Sequence, residues 1–183
     1  MTEDMTGKIV VIAGGSPEVA EATARLLATR GAAGLMVAGR GAERGQALAA
    51  IVSAAGCPTH FLPVDLARAQ DCAAVITEAE LVFGRIDALI VTIGGTGGQG
   101  PRTLAAAAGR GALGAMARGF AESLAVNRIR VFGILLDDER AGVAAPPTQI
   151  ARVIAELTAG SAPTASGSII ELAQARTSGA VTA

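Results

Sequence analysis

Apolar positions come in short solid blocks along this chain, separated by stretches that keep a helical rhythm. Ile9 to Ala13 is a continuous apolar run with glycine on either side, the pattern of a strand buried on both faces. From Pro17 the apolar positions Val19, Ala20, Ala22, Ala24, Leu26 and Leu27 form a helical stripe, and Gly31 is a fitting stop. Leu35 to Ala38 predicts a second strand. Glu43 to Ala55 predicts a helix with Leu48, Ile51 and Val52 facing inward, ended by Gly56. Phe61 to Val64 is a third strand ending at Asp65, Arg68 to Phe83 a third helix, and Ala88 to Ile93 a fourth strand after Gly84.

This strand–helix repeat has the spacing of right-handed parallel crossovers. Next, Gly94 to Pro101 holds five glycines in eight residues and reads as a loop. Thr103 is a candidate N-cap for a long helix reaching Val126. Gly109, Gly111, Gly114 and Gly119 weaken that helix and also permit close approach of a neighbour. Ile129 to Leu136 makes a fifth strand, Asp137-Asp138-Glu139-Arg140 a polar turn, Thr148 to Thr158 a helix opened by Pro146-Pro147, and Ser168 to Leu172 a sixth strand. The expected fold class is α/β, a doubly wound, Rossmann-like parallel sheet of about six strands. Residues 1–183 form a single domain in this reading, with 174–183 a frayed tail.

Composition changes the picture in two ways. A hydrophobic fraction of 51%, a charged fraction of 17% and a net charge of −1 leave no basic footprint for nucleic acid. No apolar run approaches the roughly 20 residues that span a bilayer, and the opening Met-Thr-Glu-Asp-Met lacks a secretory h-region. The expectation is a cytoplasmic protein with no membrane partner. Cys57 and Cys72 then read as reduced thiols, with too few soft ligands for a metal site, and His60 as structural or exposed. The second change is an absence: four Phe are the only aromatics, there is no Trp and no Tyr, and Lys8 is the only lysine.

The Gly-rich turn and the segments after it resemble the short-chain dehydrogenase/reductase (SDR) family over nearly the whole chain. The family's Thr-Gly-x-x-x-Gly-Ile-Gly falls on Ala13-Gly14-Gly15-Ser16-Pro17-Glu18-Val19-Ala20, keeping only its first glycine at Gly14. Asp65-Leu66 is similar to the pair whose Asp contacts adenine. Gly84 to Gly94 is similar to the segment ending Asn-Asn-Ala-Gly, with Val91 and Thr92 at the asparagines. Gly109 to Leu113, continuing to Ile129–Phe132, resembles the catalytic helix and the strand after it, and Ser166 to Glu171 the terminal strand. The resemblance implies a dinucleotide crevice built from Gly14, Ser16, Arg40, Asp65 and Gly94. Gly39-Arg40 resembles an arrangement that accepts a 2′-phosphate, so the implied cofactor is NADP rather than NAD. Three readings compete with this. Arg40 could be a solvated strand-end arginine, Asp65 a helix N-cap, and the crevice could hold no cofactor, since Pro17 removes an N–H and Glu18 brings a carboxylate to the pyrophosphate position.

Enzymes of the family use Tyr as proton donor or acceptor, with Lys four residues on. The resemblance places Ala106 and Arg110 at those positions. Roughly 40–50 residues of the family's usual length, including its substrate-orienting Ser, have no counterpart between Gly94 and Ala106, beyond ordinary loop variation. Three functions are expected from different classes. The first is an SDR-like pseudoenzyme, binding partner or repurposed non-redox protein. The second is an NADP-dependent oxidoreductase with an unorthodox proton donor, such as Thr103 or a water held by Arg110. The third is a cofactor-independent isomerase, cyclase or lyase using the acidic crevice Asp137, Asp138 and Glu139, with a small-molecule ligand and an arginine stabilising a developing anion. The apolar face carrying Leu104, Leu113, Met116 and Phe120 predicts a homodimer or a complex with another SDR-like chain.

Overall fold

Branched apolar residues in unbroken runs can be buried on both faces only if helices cover both sides of the sheet, and they do. The computed structural model describes residues 4–93, 115–122, 124–125, 128–136, 145–160 and 164–172. Its strands are β1 (Ile9–Gly14), β2 (Gly34–Gly39), β3 (Thr59–Pro63), β4 (Ala88–Ile93), β5 (Arg130–Leu136) and β6 (Ser168–Leu172). They form one parallel sheet of order β3-β2-β1-β4-β5-β6. The helices are α1 (Pro17–Thr29), α2 (Ala42–Ala54), α3 (Ala69–Phe83), α4 (helical at 115–122) and α5 (Pro147–Ala159). Each expected strand and helix among the described residues is present, displaced at its ends by no more than two residues. Thr103 and the rest of the expected long helix up to residue 114 lie outside the described residues, as does the tail 174–183.

Alternate residues of each strand feed two apolar layers. Val10, Ile12, Leu35, Val37, Ile90 and Ile134 face one way and pack with Leu27 of α1, Val52 of α2 and Ile154 of α5. Val11, Met36, Leu89, Val91 and Val131 face the other way, under Val75 and Ala79 of α3, with Met116 and Phe120 of α4 half-buried against them. Met116 and Phe120 thus cover the sheet rather than standing free of it. Each fully buried branched side chain contributes about 1.5–3 kcal/mol, so the central strands dominate the hydrophobic stabilisation. Gly45 lets α2 lie directly on β3: a Cβ there would stand 2.1 Å from the Phe61 ring.

Two sequence expectations are corrected. Ile51 faces solvent, 49% exposed, because α2 turns its Gly45–Leu48–Ala49–Val52 stripe to the sheet and Ile51 lies a quarter-turn beyond it. Asp65 is not the N-cap of α3; that helix starts at Ala69 behind Arg68, after a turn closed by the Arg68 N–H on the Asp65 carbonyl at 2.8 Å.

Candidate functional site

The sheet order places β1 beside both β2 and β4, so the chain's winding reverses between β1 and β4, where open α/β sheets form their ligand crevice. There Gly14 lies opposite Thr92. Gly14 and Gly15 have φ of +80° and +82°, a left-handed pair that turns the chain from strand to helix. A Cβ on Gly14 would lie 2.4 Å from the Thr92 carbonyl oxygen, and one on Gly15 2.4 Å from its hydroxyl oxygen. Thr92 is buried and its hydroxyl donates to the Ala13 carbonyl at 3.3 Å, tying β4 to the end of β1. It stands where the resemblance expects an asparagine, and it still supplies a polar contact that steadies the turn.

Ser16 is extended, at φ −78° and ψ 152°, and its Oγ accepts from the Val19 N–H at 3.3 Å, capping α1. Pro17 occupies the first helical turn, where the missing N–H would have no helical partner, so the helix loses nothing by it. Glu18 does not project into the turn. It is exposed, and its Oε1 accepts from Arg44 Nη2 at 3.1 Å. Its own backbone N–H, above all, and then the Ser16 hydroxyl and the Arg44 guanidinium hold its carboxyl below the usual carboxylate range, against a desolvation effect of opposite sign.

Beside this turn opens a cleft of about 530 Å³, continuous with solvent, between α1, the end of β2 and the start of α2. Gly14, Ser16, Arg40 and Arg44 line it. Arg40 is exposed at the end of β2 and makes no ion pair among the described residues. Across the crevice a Leu66 methyl lies 3.0 Å from where a Gly14 Cβ would be, so Asp65-Leu66 adjoins the turn. The Asp65 carboxylate accepts from the Ala67 N–H at 3.2 Å, and its own N–H donates to Asp71 Oδ2 at 2.7 Å. Asp65 is therefore a turn-forming carboxylate at the crevice edge.

Of the expected site residues, the fold brings Gly14, Ser16 and Arg40 to one cleft and Asp65 to its margin. Gly94, Thr103, Arg110, Asp137, Asp138 and Glu139 lie outside the described residues. The sequence reading missed Gly15, the supporting role of Thr92, and Arg44. The spacing from Arg40 to Arg44 carried a usable signal, because a helix starting at Ala42 turns Arg44 back toward the strand end. The remaining reactive side chains are placed elsewhere. His60 Nε2 lies 3.8 Å from Glu78 Oε1 in the edge strand. Cys57 and Cys72 are free thiols, both pushed up mainly by burial, Cys72 also by the Asp71 and Asp65 carboxylates. Among the described residues no three His, Cys, Asp or Glu side chains gather as a metal site, and no helix is long and apolar enough to cross a membrane.

With this geometry in place, family comparison is decisive: residues 8–108 match the model of the short chain dehydrogenase family. The chain belongs to that family. Among curated relatives it is 35% identical over 94 residues to 11-beta-hydroxysteroid dehydrogenase A of Sesamum indicum, covering 51% of this chain and 27% of the relative. The chain thus spans about a third or less of the length of the curated relatives it matches. Among solved structures, a dehydrogenase of Burkholderia cenocepacia with bound NADP superposes with a TM-score of 0.73 at 17% identity, covering 94% of each chain. An NADH-dependent reductase complexed with NAD superposes with a TM-score of 0.67 at 16% identity, covering 94% of this chain and 98% of the other. At such identities these structures establish the SDR fold alone.

Proposed function

We propose that this SDR chain binds an NADP-type dinucleotide and serves as a binding protein or partner subunit, not as a Tyr-dependent dehydrogenase. One observation carries the binding half: a left-handed Gly14-Gly15 turn opens onto the Ser16-capped helix beside Arg40, a cation without an ion-pair partner among the described residues. This donor set suits an anionic dinucleotide. The backbone from Gly14 to Ser16 would face the pyrophosphate at the helix N-terminus, Arg40 and Arg44 the 2′-phosphate, and Asp65-Leu66 the adenine side. A bound nicotinamide supplies the hydride chemistry of the family. What this chain does not bring is the family's proton donor, since it contains no Tyr, and a positioned acid–base group is typically worth about 10²–10⁴ in rate. For assembly, we propose a homodimer or pairing with another SDR-like chain.

A second reading, an NADP-dependent oxidoreductase drawing its proton through Thr103 or a water held by Arg110, is favoured by the dehydrogenases among the relatives. Two measurements separate these readings. In NADPH fluorescence titrations, Arg40→Ala should weaken NADPH about tenfold and leave NADH unchanged, the loss of one charge-assisted contact at an exposed site. Equal losses for both nucleotides would contradict the assigned role of Arg40. No NADPH consumption is expected across a panel of carbonyl substrates; turnover that disappears in Thr103→Ala would establish the second reading.

A further inference from the structure

Arg40 and Arg44 line the same cleft but meet different electrostatic surroundings. Arg40 has no ion-pair partner among the described residues, whereas Arg44 is held by Glu18 at 3.1 Å. That pair joins the first turn of α2 to the first turn of α1 at the cleft rim, and no hydrophobic packing enforces it: the side chains are 65% and 53% exposed. An exposed pair of this kind shifts an equilibrium by a factor of only about 1.5–5, and salt screens it. It stabilises the fold little. Its effect on a ligand is larger in kind. A phosphate arriving at the rim must take Arg44 from Glu18, and it meets the Glu18 charge in doing so. That charge already occupies the end of α1 where the helix dipole favours an anion.

We infer that Glu18 is a specificity-determining residue of this cleft, an internal carboxylate that engages Arg44 and penalises ligands carrying a phosphate at the rim. The inference rests on the dinucleotide-binding reading and adds to it a residue that opposes binding. The ligands most affected are 2′-phosphorylated adenosines. NAD, with no phosphate at that position, feels Glu18 less. Because the Glu18 carboxyl is held below the ordinary carboxylate range, the pair stays closed throughout the neutral range and opens only in acid.

The test is calorimetric titration of the intact chain, Glu18→Gln, Arg44→Gln and the double variant with 2′,5′-ADP, NADP and NAD. All substituted side chains are exposed, and thermal melts should coincide. Glu18→Gln is expected to tighten 2′,5′-ADP and NADP about three- to tenfold at low salt and NAD less than twofold, with the gain vanishing in the Arg44→Gln background. If the unaltered chain binds NADP and Glu18→Gln leaves its affinity unchanged, or if the gain persists without Arg44, the inference falls while the dinucleotide reading stands. If the unaltered chain is silent and Glu18→Gln binds 2′,5′-ADP, the inference stands and the dinucleotide reading falls. Silence in both proteins overturns both.

Discussion

At the β1–α1 turn, the fold asks for glycine twice, for reasons that need no ligand. Gly14 and Gly15 hold positive φ, and the space a Cβ would need is filled by the Thr92 carbonyl and hydroxyl. Gly15→Ala should cost at least about 1–2 kcal/mol from backbone conformation alone, before the overlap with Thr92 is added. Urea unfolding checks this; an unchanged midpoint would mean the turn is not held as described. A second residue points the opposite way. Thr23 is fully buried in α1 and its hydroxyl has no hydrogen-bond partner. Thr23→Val keeps the shape and removes an unsatisfied oxygen, so it should stabilise the protein by about 1 kcal/mol, read as a raised urea midpoint. Neither Thr92 nor Thr23 could be singled out from sequence. A threonine in an apolar run gives no sign of whether its hydroxyl finds a partner; Thr92 does and Thr23 does not.

Among the elements, one charged residue fastens the end of the sheet opposite the crevice. Asp87 accepts from the Ile9 N–H at 2.8 Å and from Arg85 Nη2 at 2.9 Å, while that same Arg85 nitrogen donates to the Gly7 carbonyl. The Asp87 main chain also bonds to Ile9 and Arg130, so it links the start of β1 to those of β4 and β5. Asp87→Ala should therefore cost about 1–3 kcal/mol through a buried N–H left unpaired, measured as a loss of unfolding free energy. Elements of this kind were legible in the sequence because their borders are chemical: Gly84 ends α3 in a left-handed conformation and Gly160 ends α5 in the same way. Phase within an element was less legible. Alanine-rich α2 gives a weak apolar stripe, so Ile51 was assigned to the core although the helix rotates it outward.

For the molecule as a whole, the parallel order β3-β2-β1-β4-β5-β6 explains why residues distant in sequence share one crevice. The strand–helix rhythm and the Gly14 turn made that crevice legible, and Arg40 marked the strand end at its rim. The rhythm did not reveal the charge balance there, because Arg44 and Glu18 belong to different helices and pair only once α1 and α2 lie side by side on the sheet. The central claim is a dinucleotide cleft in an SDR chain without a tyrosine. Its most direct test is calorimetric titration with NADPH, NADP, NADH and NAD, each sample then incubated with carbonyl substrates. The account predicts saturable binding, tighter for the two 2′-phosphorylated forms, and no oxidation of NADPH. Absence of binding by all four nucleotides, or a preference for NAD and NADH, would contradict it.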